Sequence, residues 1–332
     1  MTLSLPRPDD WHVHLRQGES MASFARVHGE SFGRILAMPN TLPPLVGVEE
    51  IQKYRQKARK AASGLEVLTA FRIMPDTKAG DIGALSEAGI PAGKYYPEGA
   101  TTNSSGGLTG WRQIEEALGA MEEKGLVLSI HGEDPSAPVL EREEAFLPVF
   151  REIRQAFPGL KMVLEHVSTA AGVQAVREAP GPTAATVTLH HLLFTLEDLL
   201  GGRLNPHLFC KPLVKSDKDR RVIQERLLVG DERFFFGSDS APHPAGMKES
   251  GSIPAGIYSA PVILPVLAGW FEEKNALERM EAFLCYFGRN FYGMEANPGR
   301  VELERETWKV PDLSEGCVPL LAGEELRWRV SG

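Results

Sequence analysis

Two histidines one residue apart, His12 and His14 in Asp10-Trp11-His12-Val13-His14-Leu15-Arg16, are the first residues of the chain whose type and spacing suggest chemistry. On a strand, side chains two apart share a face, so both imidazoles can address one cation. Taken alone, such a pair is equally well a hydrogen-bonded barrel rim. Recurrence separates the two readings: Lys94, His131, His166, His190 with His191, and Asp239 follow, each at the end of a β-rich run. A full set of such donors at successive strand ends is much harder to explain as packing than a single histidine. Lys94 is the odd member, because an ammonium repels a cation and is costly to bury unpaired. Either it pairs with an acid, or its amine has added CO2 to become an anionic carbamate with two oxygens for two metals. Spacing leaves both open.

These residues need a scaffold that gathers strand ends on one face. Short β-rich runs alternate with helical patterns along the chain. Candidate strands are Trp11–Leu15, Gly33–Met38, Leu65–Ile73, Gly93–Tyr96, Leu126–Ile130, Lys161–Glu165, Ala184–Leu189 and Phe234–Gly237. Between them, apolar residues at steps of three and four predict helices over Trp111–Glu123, Glu144–Phe157 and Asp217–Val229. Eight such units predict an α/β fold, a (β/α)8 TIM barrel, with its chemistry at the C-terminal strand ends. Those ends carry His12, His14 and Arg16, then Asn40, Lys94, His131, His166, His190 and finally Asp239. His28, His191 and His207 read as structural or surface residues.

A length of 332 residues suits one such barrel with extended loops, and no low-complexity linker divides it, so residues 1–332 are expected to form a single domain. The chain is 42% hydrophobic and 24% charged, ordinary for a protein with a large core. A net charge of −8 argues against nucleic acid as a partner, and any anionic substrate then needs a local cationic site. No stretch approaches ~18 apolar residues and no signal-like segment opens the sequence, so no membrane partner and a cytoplasmic location are expected. Cys210, Cys285 and Cys317 lack metal or redox spacing and read as reduced packing residues.

From about Pro8 to Val330 the sequence resembles the dihydroorotases of the amidohydrolase superfamily, the compact single-domain bacterial type. The likeness is carried by the Asp10–Arg16 segment, Met38-Pro39-Asn40, Lys94-Tyr95-Tyr96-Pro97, Ala100-Thr101-Thr102-Asn103-Ser104-Ser105, Gly237-Ser238-Asp239-Ser240-Ala241-Pro242-His243 and the tail Val318–Glu324. The resemblance implies two Zn2+ per subunit. His12, His14 and Asp239 would bind the more buried ion and His131 and His166 the second, with Lys94 bridging them as N6-carboxylysine. No ligand position falls to His190.

The implied reaction is reversible hydrolysis of the cyclic amide of dihydroorotate to N-carbamoyl-aspartate in pyrimidine biosynthesis. A bridging hydroxide would be the nucleophile and Asp239 the proton shuttle. Arg16, Asn40 and His243 would hold the substrate carboxylate, backbone groups near Ala255 the ring, and a loop bearing Thr101 and Thr102 would close over it. Lys211 stands where some relatives carry an apolar residue and alters a pocket wall. A homodimer is also implied. Two other readings share features: another cyclic amidohydrolase, hydantoinase- or allantoinase-like, would differ at Arg16, Asn40 and His243. A non-catalytic scaffold barrel would have lost ligands, whereas this sequence keeps all six.

Overall fold

The computed structural model describes residues 2–101 and 106–331. After a first strand, β1 (Thr2–Pro6), come β2 (Asp9–Val13), β3 (Arg34–Ala37), β4 (Glu66–Arg72), β5 (Ala92–Tyr95), β6 (Val127–Ile130), β7 (Lys161–Leu164), β8 (Thr183–Val187) and β9 (Phe234–Phe236). These eight, β2 to β9, pair in parallel in chain order. The chain beyond β9 returns to β2, where Asp239 N donates to His12 O at 2.8 Å and His14 N to Ser240 O at 3.0 Å. The ring is thereby closed into the barrel expected from the sequence, and every expected strand is present with its ends displaced by no more than two residues.

The strands are apolar because both faces are covered. Alternate residues divide between two cores. Ile35, Val67, Leu128, Phe234 and Phe236 pack outward beneath the helices, while Leu36, Leu68, Ala92, Val127, Val163, Ala184 and Phe235 fill the barrel. The floor is sealed by the helix Phe287–Tyr292, whose Tyr292 ring stacks on Trp11 with centroids 4.2 Å apart. Gly288 permits this approach, since a Cβ there would run into the Trp11 indole.

Of the expected helices, the first is a 3-10 turn (Trp111–Ile114) continued by Glu115–Lys124, the second spans Arg142–Ala156, and the third is Asp217–Val229 as predicted. Ser216 Oγ caps the third by accepting from Asp219 N, and Gly230, at φ 70°, ends it in the left-handed region. Outside the barrel, β1 pairs with β10 (Arg300–Glu304), a ribbon joins β11 (Trp308–Lys309) to β12 (Glu325–Leu326), and β13 (Arg329–Val330) extends β10. None of this second sheet was expected; the alternation Leu3/Leu5 against Val301/Leu303 is the signal that carries it. Among the described residues, no helix is long and apolar enough to cross a membrane.

Candidate metal centre and substrate cleft

β2 does not run straight into the site. Its pairing with β3 passes from Asp10–Ile35 to Val13–Ala37, three steps against two, which is a β-bulge. Trp11 can therefore fill the barrel while its neighbour His12 lines the cleft above. The strand ends at Val13, and Arg16 sits in a left-handed turn at φ 62°. Arg16 does line the cleft, but from that turn and not by strand alternation as expected. His166 (φ 42°) and Asp239 (φ 46°) share this conformation, which is uncommon outside glycine. Backbone hydrogen bonds hold both in place: His166 N donates to Thr186 Oγ1 at 2.7 Å and Asp239 N to His12 O at 2.8 Å. Gly237 keeps the approach open, because a Cβ there would meet the Thr186 and His12 side chains.

His12 Nε2 and His14 Nε2 lie 3.4 and 3.0 Å from one oxygen of Asp239, Oδ1. On the other side of His12, whose ring centroid is 5.2 Å from that of His166, His166 Nε2 faces His131 Nδ1 at 3.1 Å. The five expected histidine and aspartate ligands thus converge. Burial pulls His14 down to about 4, outweighing Asp239, and takes His131 down and His166 well below its ordinary value. Neutral imidazoles keep a lone pair for a cation. Burial alone would raise the Asp239 carboxyl, but the His14 hydrogen bond and the electrostatic pull of the facing His12 and His14 rings outweigh it, so the carboxyl is held below the usual carboxylate range and is ionised.

Two carboxylates that the sequence reading missed fix these rings. Glu165 Oε2 accepts from His12 Nδ1 at 2.8 Å and from Thr186 Oγ1 at 2.6 Å, while its other oxygen takes the Ser129 hydroxyl. Glu133 Oε2 accepts from His131 Nε2 at 2.9 Å. Each leaves the opposite nitrogen of its imidazole directed at the cluster, an arrangement typical of metal-bound histidine. Their position within two residues of a candidate ligand, in His131-Gly132-Glu133 and Glu165-His166, was the available signal.

Lys94 is fully buried beneath this cluster, and its Nζ has no hydrogen-bond partner among the described residues, only the Tyr96 ring 5.5 Å away. Burial lowers its amine to about 8 against the opposing pull of Glu165 and Asp239. Of the two alternatives for Lys94, the ion pair is not formed: no carboxylate lies within salt-bridge distance of it among the described residues.

The cleft above is lined by these five histidine and aspartate residues together with Arg16, Asn40, Thr101, Lys211 and Ala255. Arg16 Nε donates to Pro242 O at 2.9 Å and its NH2 meets His243 Nε2 at 2.7 Å. Burial and the Arg16 charge push His243 down to about 3, so it is neutral and accepts from Arg16. The same nitrogen lies 3.0 Å from Ala255 O, which places Ala255 beside His243. Neither Arg16 nor Lys211 has a carboxylate within salt-bridge distance among the described residues, so the cleft presents two cations available to an anion. Thr102 lies outside the described residues. His28 and His207 are engaged elsewhere, with Phe24 O and Glu249. His190 is buried with neither ring nitrogen partnered among the described residues.

No protein-family model matches the chain. Among curated proteins it is 44% identical to a dihydroorotase of Halorhodospira halophila, over 99% of each chain. Solved dihydroorotases superpose closely: that of Campylobacter jejuni has a TM-score of 0.94 at 34% identity, covering 100% of this chain and 98% of its own. That of Saccharomyces cerevisiae, in complex with 5-fluoroorotic acid, has a TM-score of 0.94 at 32% identity and covers 99% and 98%. With barrel, ligand cluster and full-length likeness in agreement, this chain belongs to the dihydroorotase family.

Proposed function

We propose that the cleft catalyses reversible hydrolysis of the ring amide of dihydroorotate to N-carbamoyl-aspartate, with two Zn2+ held by the residues described. His12, His14 and Asp239 would hold one ion, His131 and His166 the other, and Lys94, carboxylated on Nζ, would be shared. The donor set fits: neutral imidazoles, an ionised carboxylate, and a buried lysine amine without a hydrogen-bond partner, lowered toward the unprotonated form that adds CO2. When bound, such ions polarise a carbonyl and bring the pKa of water to ~7.

The chain's own residues supply orientation and proton transfer. Arg16 would trade its His243 contact for paired hydrogen bonds to the substrate carboxylate, and Asn40 and His243 would flank it. Lys211 adds a second cation on the same wall, suited to the second carboxylate that ring opening creates. Asp239 Oδ1 faces the two histidines, so Oδ2 would receive the proton of the attacking water and return it to the departing ring nitrogen. Thr101 lines the cleft and would help exclude water, with Thr102 beside it in sequence. Residues 1–332 would act as one domain, in the cytoplasm, as a homodimer.

The observation that carries the choice of an anionic substrate is Arg16, half-buried in the cleft wall with no carboxylate within salt-bridge distance among the described residues. A two-direction assay with dihydroorotate and N-carbamoyl-aspartate, run with metal analysis, tests it. Arg16→Met is expected to keep about two zinc ions while kcat/KM falls roughly 10- to 100-fold, the worth of a charge-assisted hydrogen bond. Turnover of hydantoin alone, or metal loss without a kinetic defect in the remaining holoenzyme, contradicts it.

A further inference from the structure

Beside the catalytic cluster lies a second set of donors that the reaction does not use. His190, His191 and Cys210 are buried, and one ligand atom from each lies within 4.8 Å of the others. The short helix Leu189–Leu193 after β8 brings the two histidines together, with ring centroids 4.6 Å apart. His191 Nε2 and Cys210 Sγ converge on one acceptor, the Pro212 carbonyl, each at 3.1 Å. His190 is 0% exposed, yet both its nitrogens lack a partner among the described residues. Leaving a buried polar atom unpaired is costly, and a bound ion would take one of the two ring nitrogens. None of the three side chains lines the substrate cleft.

We infer that His190, His191 and Cys210 form a further zinc site, distinct from the catalytic pair, with the Pro212 carbonyl as an available fourth donor. One sulfur, two imidazoles and an oxygen make a four-coordinate set of the kind zinc accepts. The thiolate offsets one of the two charges, which lowers the cost of burying the ion. Thr188 Oγ1, 2.9 Å from His191 Nδ1, can accept as readily as donate, so it can hold the tautomer that frees Nε2. Binding displaces the Cys210 proton to solvent, which the ion must force because burial raises that thiol to about 12. With all donors buried, the ion is acquired as the chain folds.

The test uses the full chain purified from zinc-supplemented growth and, separately, from cobalt-supplemented growth. The wild type is expected to carry one zinc per chain more than Cys210→Ser or His190→Gln. Its cobalt form is expected to show a near-ultraviolet thiolate-to-cobalt charge-transfer band, to which the catalytic ligands, having no sulfur, cannot contribute. That band disappears in Cys210→Ser; should this variant fail to fold, His190→Gln carries the zinc count. Equal zinc in wild type and His190→Gln, or a wild-type cobalt spectrum without the thiolate band, overturns the site.

Discussion

The floor of the barrel and the polar layer above it are built from the same strands, and one two-residue step separates them. Ala92 gives way to Lys94 on β5, Val127 to Ser129 on β6, Val163 on β7 to Glu165 just past its end, and Ala184 to Thr186 on β8. Below the step, side chains exclude water and seal against Trp11 and Tyr292. Above it, on these four strands, the inward group is polar and is tied to a candidate ligand or lies beneath one. The period of two that builds a strand therefore also decides where solvation ends and chemistry begins. Stability and reactivity are separable by level in this fold.

The comparison breaks most visibly at Lys94. Lys94→Ala is expected to lower kcat/KM by at least about 100-fold, more than the loss of an outer ligand contact, because the shared ligand goes with it. A small carboxylic acid added to this variant is expected to restore part of its metal content, as read by elemental analysis. On the floor, Leu36→Ala should behave oppositely. A cavity there costs about 2–5 kcal/mol of stability, measured by urea unfolding, while zinc content and kcat/KM hold near wild type.

A buried histidine in the outer layer separates acid effects on the scaffold from those on the ligands. His28 donates to Phe24 O at 2.9 Å and is pushed down to about 4 by burial. The unfolded chain takes up its proton below about 6.5, whereas the folded chain does so only near 4. Its contribution to stability is thus full above pH 6.5 and is lost as pH falls toward 4, by about 2 kcal/mol at pH 5. In metal-free protein, His28→Leu should flatten the unfolding free energy between pH 7 and 5 by that amount; an unchanged slope would place the effect elsewhere.

The smallest expected effect lies within the polar layer. Glu165→Gln keeps an acceptor for His12 but removes the charge, and zinc affinity should fall about 10-fold with little change in unfolding midpoint. A loss of stability without loss of affinity would move Glu165 to the side of the floor.

Much of this was legible in the sequence, and for identifiable reasons. The eight strands are buried on both faces and so read as apolar runs, and the ligands stand at their ends. The bulge in β2 was not legible, because an extra residue is set by pairing with β3, and so Arg16 was placed on a strand that stops before it. Glu133 and Glu165 were passed over because a glutamate beside a histidine has no marker of its own until the ring nitrogen it meets is known. The sheet of β1, β10 and β13 joins the two ends of the chain, and pairing over that separation leaves only weak local alternation. The donors around Cys210 come from the short helix after β8 and from a separate loop, so no spacing motif unites them.

The central claim is that the polar layer culminates in a modified lysine shared by two ions. Intact-protein mass measurement with peptide mapping at Lys94, made on active enzyme under CO2-retaining conditions beside a zinc count, tests it most directly. The account predicts the added mass of one CO2 on Lys94 in protein carrying both catalytic ions, lost together with one or both of them on acidification. A bare Lys94 amine in fully active, two-metal enzyme would contradict it.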